Sequence, residues 1–351
     1  MEKKIQNRNN RMKYYMAPLE DVTGYVYRSA YHRYFYPMDK YFSPFIAAKP
    51  NEGRLFSYKE KHDILPEHNE GLDLVPQILT NSAHDFIRTA RGLEDYGYQE
   101  INLNLGCPSK PVVKGGRGSG FLEKRKELDS FLDEIFSRTR QKISIKTRVG
   151  RYEPEEIEPL MEIFNQYPLE ELIVHPRIQT DYYQGKPRME SFAWAYRNSQ
   201  CPVCYNGDIF AETDGDRIQK EFPKLDRLMM GRGVLADPSL PGKMQGEPVP
   251  CMEQWKAFLE QLHDDFCRIS INDEKALFKL KEIWCYLRFS FPLSDVWENG
   301  IKRAENLQQY ETAVARMIES YPGLPGGAFC SRLVNDGTYG RMRCSVNKEK
   351  R

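Results

Sequence analysis

The chain has 351 residues, 40% hydrophobic and 29% charged, with a formal net charge of +1. That composition excludes collagen-like, mucin-like and wholly disordered chains, and no apolar run approaches the ~18 residues a membrane span needs. Residues 1–12 lack an apolar stretch and are not a secretory signal. Eight irregularly spaced cysteines are no disulfide framework, so the cytoplasm is the default compartment. Charge is uneven. Residues 1–13 carry Lys3, Lys4, Arg8, Arg11 and Lys13 against Glu2, and residues 321–351 hold six basic side chains against two acidic ones. Basic ends suit a polyanion, and equally suit solvated tails.

Short apolar runs alternate with amphipathic segments along the chain. Residues 14–17 read as a strand and 24–36 as the helix after it. Strands follow at 41–46 and 72–79, then a helix at 82–96 with an N-cap at Asn81 or Ser82. A strand at 100–105 leads through a glycine-rich loop to a helix at 128–139, where Leu128, Phe131, Leu132, Ile135 and Phe136 share a face. The remaining units pair strands 143–149, 171–175, 203–206 and 225–230 with helices 154–166, 189–198, 212–222 and a short segment at 238–244. Eight strand–helix units in about 230 residues match a (β/α)8 TIM barrel, with a doubly wound open sheet as the rival reading.

Near residue 247 the pattern turns wholly helical. Trp255, Phe258, Leu259, Leu262, Phe266 and Ile269 form one stripe, and Leu277, Leu280, Ile283, Trp284 and Leu287 a second. Ala313, Met317 and Ile318 suggest a third helix. The expected organisation is a basic arm at 1–12, a catalytic barrel at 13–247, a small helical domain at 248–320 and a basic tail at 321–351.

A barrel carries its active site at the carboxyl ends of its strands. The first strand ends in Ala17-Pro18-Leu19, the third in Gln77, and the fourth in Asn104 with Cys107 just beyond. The fifth ends in Lys146 and Arg148, the sixth in His175 and Arg177, the seventh in Asn206-Gly207-Asp208, and the eighth in Gly231-Arg232-Gly233. So many polar or backbone-exposing ends at one mouth are poorly explained as packing, because buried cations need partners. The last two ends suit a phosphate, since glycine admits close backbone approach and Arg232 adds a forked cation. Gln77 and Lys146 suit the polar edge of a ring system, and a lysine beside the electron-accepting edge of a flavin stabilises its reduced form.

Cys107 follows its strand between Gly106 and Pro108, placed for the site as proton donor or nucleophile. Cys204, Cys267 and Cys285 instead fit packed core positions. Cys201 and Cys204 form a C-x-x-C with no second pair, so no metal site is expected.

These residues resemble the tRNA-dihydrouridine synthase family. The matching segments are 16–23, 75–79, 101–108 (Ile-Asn-Leu-Asn-Leu-Gly-Cys-Pro), 144–150, His175-Pro176-Arg177, 205–209 and 229–233, in the family's order. The family's Ala-Pro-Met is Ala17-Pro18-Leu19 here, and its His-x-Arg-Thr is His175-Pro176-Arg177-Ile178. The resemblance implies FMN at the barrel mouth, held by the strand-end residues just named. It also implies NADPH as reductant and a tRNA uridine as substrate, reduced to 5,6-dihydrouridine with Cys107 as proton donor. Asn104 would read the uracil edge, Arg177 would orient base or flavin, and Lys114 and Arg117, with the helical domain, would hold RNA phosphates. Four alternatives stay open: an FMN barrel reducing a free small molecule, a synthase acting on rRNA, a Schiff-base aldolase using Lys146, and a non-catalytic RNA-binding barrel.

Overall fold

The computed structural model describes residues 11–50, 53–291, 294–321 and 325. Most of the expected basic arm and tail therefore lies outside the described residues. Ten short parallel strands follow in chain order: β1 (Lys13–Met16), β2 (Lys40–Phe42), β3 (Ile46–Ala47), β4 (Leu74–Val75), β5 (Gln77–Leu79), β6 (Glu100–Leu105), β7 (Lys142–Gly150), β8 (Leu172–Ile178), β9 (Val203–Asn206) and β10 (Arg227–Met230). They make one sheet in the order β3-β5-β6-β7-β8-β9-β10-β1-β2-β4. Only Pro76 separates β4 from β5, and Ser43-Pro44-Phe45 separates β2 from β3. Each pair is one stave broken at a proline, which has no N–H for the ladder. The two ends of that strand order thus belong to shared staves, and the sheet closes as an eight-stave (β/α)8 barrel.

Several predicted bounds move for local reasons. Strand β8 runs three residues past His175, carrying Pro176 and Arg177 within it. The helix expected at 82–96 is Ala83–Glu94, with the Ser82 hydroxyl accepting from the Asp85 N–H at 3.3 Å. A helix at Tyr58–Ile64, closed by a Ser57/Glu60 capping box, has too short a period to stand out in sequence.

Parallel neighbours in register point the same way, and side chains alternate along each strand. Pairings Asn104 with Lys146, Arg148 with His175, Ile173 with Cys204, and Tyr15 with Met229 define the inward face. At the amino ends of the strands, buried Glu171 accepts from Lys40 at 3.1 Å, Arg227 at 3.0 Å and the Tyr15 hydroxyl at 3.0 Å. Lys40 also meets Glu100 at 2.7 Å, so each charge withdrawn from water has a partner. Above this plug sits an apolar cluster of Tyr15, Ala17, Phe42, Val75, Ile173, Cys204 and Met229, with Leu19 packed on it.

The chain divides into two compact units, but not at residue 247. The first comprises residues up to Glu20, Asp39–Asp208 and Phe222–Met230; the second comprises Asp21–Met38, Ile209–Glu221 and the chain from Gly231. The helices after the first, seventh and eighth staves therefore join the C-terminal helices. Aromatic packing explains this: the Phe35 ring lies 5.0 Å from Trp255 and 4.9 Å from Phe258, both near perpendicular. Helix Met252–Ile269 buries Trp255, Phe258, Leu259, Leu262 and Phe266 as its period predicts. Ile269, at its last turn, is 46% exposed instead. Helix Asp273–Leu287 buries the whole second stripe. Cys285 on that helix is buried, as its core position predicts. No helix among the described residues is long and apolar enough to cross a membrane.

Candidate active site

The first unit carries Cys107 and most of the expected site residues at the carboxyl ends of its strands. Cys107 is a half-buried free thiol directly beyond β6. Burial pushes the thiol above its ordinary pKa, against opposing pulls from the Ser109 backbone and from Arg148 and Lys146. A protonated thiol at neutral pH suits proton donation better than nucleophilic attack.

Lys146, half-buried on β7, is the complementary feature. Burial and the Arg148 charge lower its pKa to about 8. Its ammonium has no hydrogen-bond or ion-pair partner among the described residues, so it is a cation suited to an anionic group that the protein does not itself supply.

The amides are largely occupied. Asn104 Oδ1 accepts from the N–H groups of Gly106 at 3.1 Å and Cys107 at 2.9 Å. Its Nδ2 donates to Gln77 Oε1 at 2.7 Å, and Gln77 Nε2 donates to Asn102 Oδ1 at 2.7 Å. Asn104, expected to read the uracil edge, keeps one N–H beyond these bonds. Gln77, wholly buried, keeps one N–H and one lone pair.

Arg177 departs most from expectation. Its Nε donates to Gln184 O at 3.1 Å. Nη1 donates to His175 Nε2 at 3.1 Å and Asp208 Oδ1 at 3.0 Å. Nη2 donates to Gly185 O and Asp208 Oδ2, both at 2.6 Å. Guanidinium has five N–H groups and all five are used, so Arg177 has none left for a substrate. Its bonds all run to the protein itself. Asp208, expected at the cofactor, is its bidentate partner, and His175 Nε2 is held as an acceptor, which puts the ring proton on Nδ1.

The backbone positions divide similarly. Ala17 N–H is bonded to Met230 O at 2.8 Å, while half-buried Pro18 and Leu19 continue toward the mouth. Asn206 Nδ2 donates to Met229 O at 2.9 Å, tying β9 to β10. A Cβ at Gly207 would collide with the Tyr205 ring, so packing alone requires that glycine. Gly231 and Arg232 belong to the second unit, where Gly231 precedes the short helix Arg232–Ala236 and Arg232 lies 5.6 Å over the Phe210 ring. Lys114, exposed, ends the short helix Lys110–Lys114 after Cys107, Arg117 just beyond it is half-buried, and neither has an ion-pair partner among the described residues.

The sequence reading missed two groups. Ser119, buried, donates Oγ–H to Cys107 O at 2.8 Å. Arg148, named only as a strand end, donates to Gly106 O at 2.9 Å, Ile178 O at 2.8 Å and Tyr182 O at 2.6 Å. Polar residues at a strand end were the signal for Arg148; nothing local singled out Ser119.

A family model described as dihydrouridine synthase (Dus) matches residues 15–320. The chain is 27% identical over 247 residues to the tRNA-dihydrouridine(16) synthase of Vibrio parahaemolyticus, covering 66% of this chain and 74% of that one. It is 26% identical over 234 residues to a probable tRNA-dihydrouridine synthase of Staphylococcus epidermidis, covering 64% and 69% respectively. Among solved structures, histamine dehydrogenase from Rhizobium sp. 4-9 superposes with a TM-score of 0.51 at 12% identity, over 71% of this chain and about half (49%) of that one, a likeness of fold. The family model spans the barrel strands, the Cys107 loop and the helices through Leu307–Ser320, and on that breadth of match the chain belongs to the dihydrouridine synthase family.

Proposed function

We propose that the protein reduces the C5–C6 double bond of specific tRNA uridines to 5,6-dihydrouridine in the cytoplasm. FMN is the resident cofactor, NADPH the reductant, and Cys107 the proton donor. The observation that carries this reading is a protonated thiol beyond β6 with an unpartnered lysine ammonium on the adjoining strand β7.

The residues present fit FMN. Lys146 offers the positive charge that the electron-accepting edge of a flavin requires, and Leu19 with its apolar cluster offers a surface for a flat ring. Gln77 and His175 supply polar groups, and Asn206 and Gly207 are the first unit's candidates for the phosphate end. Bound and reduced, FMN supplies a hydride. Cys107 supplies the proton, so hydride and proton together saturate C5–C6 with one atom each. Asn104 offers its remaining N–H to a base carbonyl, and Arg177 keeps His175 oriented. The uridine must leave its stack to reach a barrel mouth. Incubating purified protein with NADPH and unmodified tRNA transcripts tests the reading: uridine nucleotides gaining two hydrogens by mass support it, and colourless protein that cannot be reconstituted with FMN overturns it.

Affinity for reduced FMN, whose electron-accepting edge carries the negative charge, should depend on pH through Lys146. Its folded pKa without FMN is about 8, and an anionic neighbour raises it. Below pH 8 the ammonium is already present; above it, binding must take up a proton. Affinity should therefore weaken as pH rises past 8, by up to about tenfold per unit. Lys146→Gln should weaken binding and flatten this dependence in calorimetric titrations.

Exposed Lys110, Lys114, Lys124 and Arg125, with Arg117, follow Cys107 between the short helix Lys110–Lys114 and the start of helix Arg125–Arg138. They favour RNA over a free small molecule. RNA affinity should fall log-linearly with salt, by a slope of ~0.7 per phosphate contact for single strands. Lys114→Ala with Arg117→Ala should flatten that slope by about one to two units and leave FMN content unchanged. An unchanged slope would move the RNA surface elsewhere.

A further inference from the structure

The main chain around Cys107 is held from three directions. Its own N–H is bonded to Asn104 Oδ1 at 2.9 Å. Its carbonyl receives both the Ser119 Oγ–H at 2.8 Å and the Ser119 N–H at 3.1 Å. The preceding carbonyl, of Gly106, receives Arg148 Nε at 2.9 Å. Gly118 stands against the same residue with φ +55, and a Cβ there would lie 2.8 Å from Cys107 O and 3.1 Å from its Cβ. A loop rich in glycine has no intrinsic preference for one conformation. Yet here the peptide groups flanking the thiol are occupied by side chains from β6, β7 and a segment twelve residues onward. Ordinary loop packing does not require this. A buried serine whose hydroxyl duplicates a bond its own backbone already makes to the same carbonyl adds restraint at that carbonyl.

We infer that Ser119, with Asn104 and Arg148, is a positioning residue that fixes the direction of the Cys107 thiol. This rests on the reading of Cys107 as proton donor. A proton delivered to one carbon of a ring requires the donor at hydrogen-bond reach and the correct angle. Freeing one peptide group lets the thiol sample other directions without changing its chemistry.

Ser119→Ala in the FMN-loaded enzyme removes the hydroxyl bond and keeps the backbone one. In the absence of RNA, Cys107 alkylation by iodoacetamide should accelerate about fivefold across the pH range, the factor for one hydrogen bond of about 1 kcal/mol. The midpoint of its pH profile should stay fixed, and exposed Cys251 is the internal reference. With tRNA, kcat should fall by a similar factor with KM unchanged, and flavin reduction by NADPH should keep its rate. Ser119→Thr, which restores the hydroxyl, should return alkylation toward the wild-type rate. Alkylation and kcat both within twofold of wild type in Ser119→Ala would overturn the inference, as would a shifted midpoint that accounts for the whole change. The alkylation arm needs no turnover. If wild-type protein fails to reduce tRNA, the functional reading fails while the restraint on the thiol is still measured.

Discussion

Cys107→Ala should retain FMN and its reduction by NADPH, and lose uridine reduction by ~10²–10⁴-fold, the usual cost of removing a general acid. The thiol can be spared by the reductive half-reaction because it carries neither the ammonium of Lys146 nor any backbone bond that alanine cannot keep. Asn104 still accepts the N–H of residue 107, and Ser119 still donates to its carbonyl. The sign of the pH dependence follows from burial. The thiol is held above its ordinary pKa, so the proton-bearing form persists through neutral pH, and wild-type turnover should fall only on the alkaline side as the thiolate forms. The test is a single-turnover reaction with prereduced enzyme and tRNA, beside the NADPH half-reaction of the same preparation. If Cys107→Ala reduces tRNA at the wild-type rate, the proton comes from another group and the assignment fails.

Arg177→Met should be the costliest single change in the barrel mouth. The arginine side chain is fully buried and its partner Asp208 is 18% exposed. Methionine fills similar space and returns none of the five hydrogen bonds. Asp208 is left as a charge with little water, and the carbonyls of Gln184 and Gly185 lose their donor. Breaking one side of a buried pair costs about 3–5 kcal/mol, read as a lower urea midpoint. Arg177→Met with Asp208→Leu should recover part of that loss, because the buried carboxylate that loses its bidentate partner is gone. It should not recover His175, whose Nε2 loses the donor that fixed its tautomer. Direct contact of Arg177 with RNA predicts the opposite pattern: normal stability with raised KM.

Local sequence determined the staves, their order and the chemistry offered at their ends. Alternation within four to nine residues is set by burial on a strand, so it is legible one segment at a time. The same holds for the stripe from Trp255 to Phe266, whose period matches its helix. It also placed Cys107 beyond a strand, since Gly106 and Pro108 punctuate the chain there. Only the tertiary structure decided which polar groups are already committed. Arg177 is saturated by Asp208, 31 residues away, and by the turn at 184–185. Arg148 reaches back 42 residues to Gly106, and Ser119 reaches Cys107 from within a glycine-rich loop that carries no period at all. The grouping of helix Tyr25–Tyr34 with helix Met252–Ile269 depends on Phe35 meeting Trp255 across 220 residues. Residue type states what a side chain can donate or accept, but whether a donor is still available depends on partners that folding brings from distant parts of the chain.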